Sequence, residues 1–166
     1  MSLLELMKAI RATPIGTVIA ENAFLFPVIE CVHVLAITFV VGTILMVDLR
    51  LLNVAARHRN VSVMEHEILP YTWAAFVLAA ITGALLFTSN APKYYVNWFF
   101  RIKFVFMACA AINMLVLHFV TSKDIKAWEG AGIEPPAAAK LAGALSLFFW
   151  LLVIIFGRWI GFTLGV

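Results

Sequence analysis

The 166 residues are 64% hydrophobic and only 13% charged, with a mean hydropathy of +1.01, more apolar surface than a water-soluble domain of this length can hide. The net charge of +3 is small, and basic residues beside a bilayer meet lipid headgroups, so no nucleic-acid partner is expected. The lipid bilayer is the expected partner: a spanning helix needs roughly 20 mostly apolar residues, and the apolar runs here do not alternate as barrel strands do.

At the start of the chain, Ser2 and Glu5 have capping-box spacing. Leu3, Leu6, Met7 and Ile10 recur at helical spacing, while Glu5, Lys8 and Arg11 stay polar. The pattern predicts an amphipathic helix over 2–13 lying in the membrane interface and ending near Pro14 and Gly16.

Four apolar runs then pass the length test, at 24–47, 68–88, 99–120 and 141–164. The first is too long for a cleaved signal peptide and reads as a retained span. The joints are hydrophilic and carry helix breakers: ARHRN at 56–60, SNAPKYY at 89–95 and TSKDIKAWEGAGIEPP at 121–136. The expected fold is all-α, an integral membrane four-helix bundle with an N-terminal interfacial helix, forming one transmembrane domain over 1–166.

The basic residues give the bundle a direction. Arg50, Arg57, Arg59, Lys123, Lys126 and Lys140 lie in or beside loops on one side. On the other, Arg101, Lys103 and Arg158 fall within apolar runs, leaving Lys8, Arg11 and Lys93. Loop residues are what orient a membrane protein, so the loops after the first and third spans are expected in the cytoplasm and both termini outside it.

No phosphate loop, dinucleotide glycine pattern, hydrolase elbow or paired zinc ligands occur. Cys31 and Cys109 are isolated within spans and read as small packing residues. Gly42, Gly83, Gly143 and Gly157 would let helices approach closely, and Trp150 is the one tryptophan well inside a span. The remaining signal is the ionisable groups in the spans, which are costly in lipid and so imply partners, water or a cofactor.

These groups fall in two layers. In the outer layer, Glu30 and His33 share a face of the first span, the third span enters with Arg101 and Lys103, and the fourth leaves with Arg158. In the inner layer, Asp48 and Arg50 end the first span, His66 precedes the second and His118 lies near the exit of the third. Asp48 and Arg50 read either as a helix-end ion pair or as a functional pair. Arg101 and Arg158 read either as site cations or as side chains snorkelling to the interface. Asn113 is placed to bond a neighbouring helix.

The blocks IECVHVLAITFVVGTILMVDLRLL, TWAAFVLAAITGALLF, WFFRIKFVFMACAAINMLVLHF and SLFFWLLVIIFGRWIGF resemble those of a small uncharacterised bacterial membrane family, over nearly the whole chain. That resemblance implies the bacterial inner membrane. More distantly, a first-span histidine, a third-span lysine and a basic residue closing the fourth span resemble the HemJ-type protoporphyrinogen oxidases and the CopD-like copper-resistance proteins. The resemblance puts His33 at the position implicated in b-type haem binding, with Lys103 and Arg158 as the matching cations, although Arg158 stands where a lysine is found in those families.

Three functions follow as expectations. In the first, a b-type haem is held through His33, with Lys103, Arg158 and Arg101 available to its propionates and Glu30 fixing the imidazole tautomer. Such a protein would pass electrons between a quinone or another membrane redox partner and an acceptor outside. His118 lies in the opposite layer, so the iron would be five-coordinate, or take a non-histidine or partner-subunit ligand, unless a second site forms from His118 and His66. In the second, His33, Glu30 and the sulfurs of Met46 or Cys31 handle copper. In the third, the chain is a non-catalytic subunit of a larger complex or a homo-oligomer.

Overall fold

The computed structural model describes residues 2–119 and 133–163. Lys123, Lys126, Trp128 and most of the joint at 121–136 lie outside the described residues, as do the span ends placed at 120 and 164. The described residues form seven helices: α1 (Leu3–Arg11), α2 (Pro14–Glu21), α3 (Leu25–Leu51), α4 (Val61–Ser89), α5 (Ala91–Val96), α6 (Trp98–Phe119) and α7 (Ala137–Thr163).

Four of them, α3, α4, α6 and α7, are long and apolar enough to cross a membrane. Their apolar side chains point outward as well as inward: Leu35 is 69% exposed, Ile81 55%, Ile112 60% and Leu151 56%. A helix that is apolar all round has no water-facing side, which is the signature of a span in lipid. The helices pack in the lateral order α4, α3, α7, α6: α3 lies against both α4 and α7, and α7 against α6.

α1 forms as expected. Ser2 Oγ accepts from the Glu5 backbone N–H at 3.2 Å while the Glu5 carboxylate takes the Ser2 N–H at 2.6 Å, closing the capping box. Leu3, Leu4 and Leu6 stay exposed on α1, so this helix presents an apolar edge beside the bundle.

α1 ends at Arg11, short of Pro14 as expected, and Pro14 opens a further helix, α2, which the sequence does not announce. Proline has no N–H to lose at the first position of a helix, and Thr13 Oγ1 caps it by accepting from Gly16 N–H at 3.3 Å. Gly16 is needed there, because a Cβ would meet the Arg11 carbonyl oxygen at 2.6 Å and that of Thr88 at 3.0 Å. α2 thus packs its backbone against the end of α4, while α1 rests on α5, so all three short helices gather at one end of the bundle.

One correction concerns α4, which starts at Val61 rather than 68 and carries Pro70 inside it. Its 29 residues reach about 43 Å, more than the thickness of the hydrocarbon layer. Val61 and Met64 are each only 1% exposed, and Val61 joins Leu51 and Ala139 in the buried cluster at this end. That burial holds the extra turns helical despite their polar composition. α3 likewise continues to Leu51, and α7 begins at Ala137.

Candidate functional site

Four helices contribute side chains around His33, with a membership that differs from the expected layer. His33 projects from α3 onto α4, where its Nδ1 lies 3.0 Å from Thr82 Oγ1. The Thr82 hydroxyl lies 2.7 Å from the Leu78 carbonyl and 3.2 Å from that of Ala79, which also accepts from the His33 ring. A hydroxyl has one hydrogen to give. Donating it to Leu78 leaves a lone pair for the His33 ring, so the arrangement that satisfies every group puts the imidazole proton on Nδ1. The lone pair of the neutral ring is then on Nε2.

The imidazole occupies the place where a side chain at Gly83 would be: a Cβ there would come 2.9 Å from His33 Cε1. From the other side of the bundle, Lys103 of α6 lays its chain over Gly157 of α7, with Nζ 3.5 Å and Cε 3.6 Å from the corresponding Cβ position. Two glycines on two helices therefore each accommodate one ionisable side chain from a third and a fourth. Both His33 and Lys103 are half-buried, and the lysine is close enough for its charge to act on the imidazole.

Thr82 is the residue that sequence reasoning missed, and it holds the ring nitrogen that Glu30 was expected to hold. Glu30 is half-buried, and its charge acts instead on Tyr94 of α5. Tyr94 is 8% exposed and packed between Phe87 and Phe100, whose tilted rings have centroids 6.0 and 5.3 Å away. Burial, and then the Glu30 carboxylate, push its phenol up to about 12. The signal for Thr82 was present as a hydroxyl beside a glycine in mid-span, Thr82-Gly83.

The structure does not bring Arg101 and Arg158 into this layer. Both are exposed: Arg101 lies over the Tyr95 ring at 5.4 Å and Arg158 over the Phe162 ring at 5.2 Å, as snorkelling cations held by aromatic faces. His118 is exposed with its ring against Phe119, and His66 is exposed in the second turn of α4. Among the described residues, no three His, Cys, Asp or Glu side chains gather as a metal group.

At the opposite end, Asp48 and Arg50 are buried, 4% and 0% exposed. Arg50 Nε donates to the Arg59 carbonyl at 2.8 Å and so ties α3 to the loop that precedes α4. Asn113 Nδ2 donates to the Ala142 carbonyl at 2.9 Å, the inter-helix amide bond expected of it. Between the layers, Thr72 Oγ1 donates to Thr43 Oγ1 at 2.9 Å across α3 and α4. An open groove of about 270 Å³ between α3 and α7 is lined by apolar side chains, Ile44, Leu147 and Trp150 among them, and offers no group for chemistry.

No curated protein and no solved structure matches the chain. Residues 16–163, from the first turn of α2 to the end of α7, match the model of a family of unknown function. The chain belongs to that family, DUF6644.

Proposed function

We propose that this protein is a b-type haem-carrying redox protein of the bacterial inner membrane, with His33 as the axial ligand from this chain. The observation that carries the reading is the His33–Thr82 contact. It fixes the imidazole by Nδ1 and leaves the Nε2 lone pair, the form in which histidine binds iron. Lys103, half-buried and near the imidazole, supplies the positive charge that a propionate would pair with. Bound haem would supply one-electron exchange, and a quinone or a membrane redox partner is the class of species to exchange with.

From this chain, His33 is the histidine that would hold the haem. His66 and His118 are exposed at the other end, so a sixth ligand would come from a non-histidine group or from a partner subunit, including a second copy of the chain. The distant resemblance to the HemJ-type proteins supports the same two positions, His33 and Lys103. The copper reading gains no such support: Cys31 is exposed and Met46 is 53% exposed. Arg57, Arg59 and Lys140 at the α3–α4 loop end favour placing that end in the cytoplasm and both termini in the periplasm.

The test is purification in mild detergent from cells with ample haem supply, with oxidised and dithionite-reduced spectra of the wild type and of His33→Ala. A Soret and an α-band that the variant lacks support the reading. A colourless wild type overturns it and leaves the accessory-subunit role.

A further inference from the structure

Asp48 stands apart from the site described above, 15 positions along α3 from His33 and so roughly 22 Å away at the other end of the span. It is 4% exposed, and its Oδ2 has no hydrogen-bond partner among the described residues. Ser146 of α7 hydrogen-bonds its carboxyl group. One turn before Ser146, Gly143 lets α7 come down onto α3: a Cβ there would lie 3.1 Å from the Asp48 backbone oxygen and 3.1 Å from Leu51 Cβ. Among the described residues, this buried carboxyl group thus has the Ser146 hydroxyl as its partner where α3 and α7 come close.

A permanent carboxylate is ill served by this seat, since an ion taken out of water costs several kcal/mol unless its oxygens are paired. Arg50 is nearby in sequence but two positions on, and residues two apart on a helix do not face each other. Its Nε is turned to the Arg59 carbonyl. The other ionisable groups on the helices packed against this end of α3 are Glu65, His66 and Glu67 of α4 and Lys140 of α7. Glu67 pairs with Arg59 at 2.7 Å and Lys140 pairs with Glu134. A neutral carboxyl group asks less of the seat, because its carbonyl oxygen can accept from Ser146 and it carries no charge to solvate.

We propose that Asp48 is a proton-binding site, a buried carboxyl group that takes up and releases one proton at the α3–α4 loop end of the bundle. Release breaks the carboxyl O–H bond, passes the proton to water at that end and leaves one negative charge between α3 and α7; no electron moves. The site does not depend on haem at His33, and it stands or falls separately.

The experiment is infrared difference spectroscopy on the full chain in lipid, stepped in pH, with exchange into D2O to mark protonated carboxyl groups. The wild type is expected to show a carboxylic C=O band that titrates away as pH rises, and Asp48→Asn to lack it. Ser146→Ala, a milder change, is expected to move the band and displace its midpoint by roughly half a pH unit. A band that survives in Asp48→Asn overturns the proposal, as does a folded wild type with no such band. Where Asp48→Asn does not fold, a Ser146→Ala band identical to the wild type overturns it and a displaced one supports it.

Discussion

His33 Nδ1 and Thr82 Oγ1 lie 3.0 Å apart and join α3 to α4 in the upper half of the bundle. Hydrogen bonds between spanning helices contribute about 0.6 kcal/mol on average. Thr82→Val keeps the shape and removes the hydroxyl, so it is expected to lower stability by about that amount in a denaturant titration in micelles, with Thr82→Ser restoring most of it. In haem-loaded protein the same variant is expected to shift the reduction midpoint without emptying the site, because the ligand remains but its orienting partner is gone.

Gly83 tests how tightly the imidazole is seated. A methyl group at this position would come 2.9 Å from His33 Cε1, so Gly83→Ala must push the ring away or part the helices. Overpacking of this kind costs about 1–3 kcal/mol. The cost is expected to vanish in a His33→Ala background, since the clash is with that ring alone. A double-mutant cycle on thermal or denaturant unfolding measures it; additive effects of the two substitutions would contradict the placement of the ring.

At the other end, Arg50 is fully buried and Arg57 is exposed, although both donate through Nε to a backbone carbonyl of the same loop, at 2.8 and 2.6 Å. Burial decides which bond matters. Arg50→Met is expected to lose about 1.5–3 kcal/mol, the range for a hydrogen bond to a charged group. Arg57→Met is expected to lose less than about 0.5 kcal/mol, as surface substitutions do. Equal losses would show that the loop, rather than the buried guanidinium, carries the effect.

Tyr94 gives an alkaline signature. Burial and then the Glu30 charge raise its phenol from 10.0 to about 12, so the folded protein keeps a proton that the unfolded chain releases first. The stability tied to this group is therefore complete below about pH 10 and is lost as pH rises through about 12. Tyr94→Phe is expected to flatten that loss. Tyrosinate absorbance is expected to show a late-ionising phase in the wild type that the variant lacks.

The bundle was legible in the sequence because lipid imposes one crude demand, a long run of apolar residues, and the four runs meet it without ambiguity. What misled were residues whose meaning depends on register. Pro14 closes the reach of α1 and also opens α2, because Thr13 caps it; the polar stretch ahead of 68 lies outside the apolar run yet is helical, because Val61 and Met64 are buried. In the site, His33 and Lys103 could be picked out because ionisable groups in a span are costly. Thr82 carried only the weak signal of a hydroxyl beside Gly83, since a threonine can satisfy its own helix and its second role appears only when α3 is laid against α4. Arg101 and Arg158 share the depth of Lys103 in sequence, yet rotate outward onto Tyr95 and Phe162.

The most direct test of the central claim is ligand replacement at His33. In His33→Gly, the haem bands of the wild type are expected to disappear and to return when imidazole is added to the haem-supplied protein, while His66→Ala and His118→Ala keep the wild-type spectrum. A His33→Gly protein that retains the wild-type bands without added imidazole would contradict His33 as the ligand.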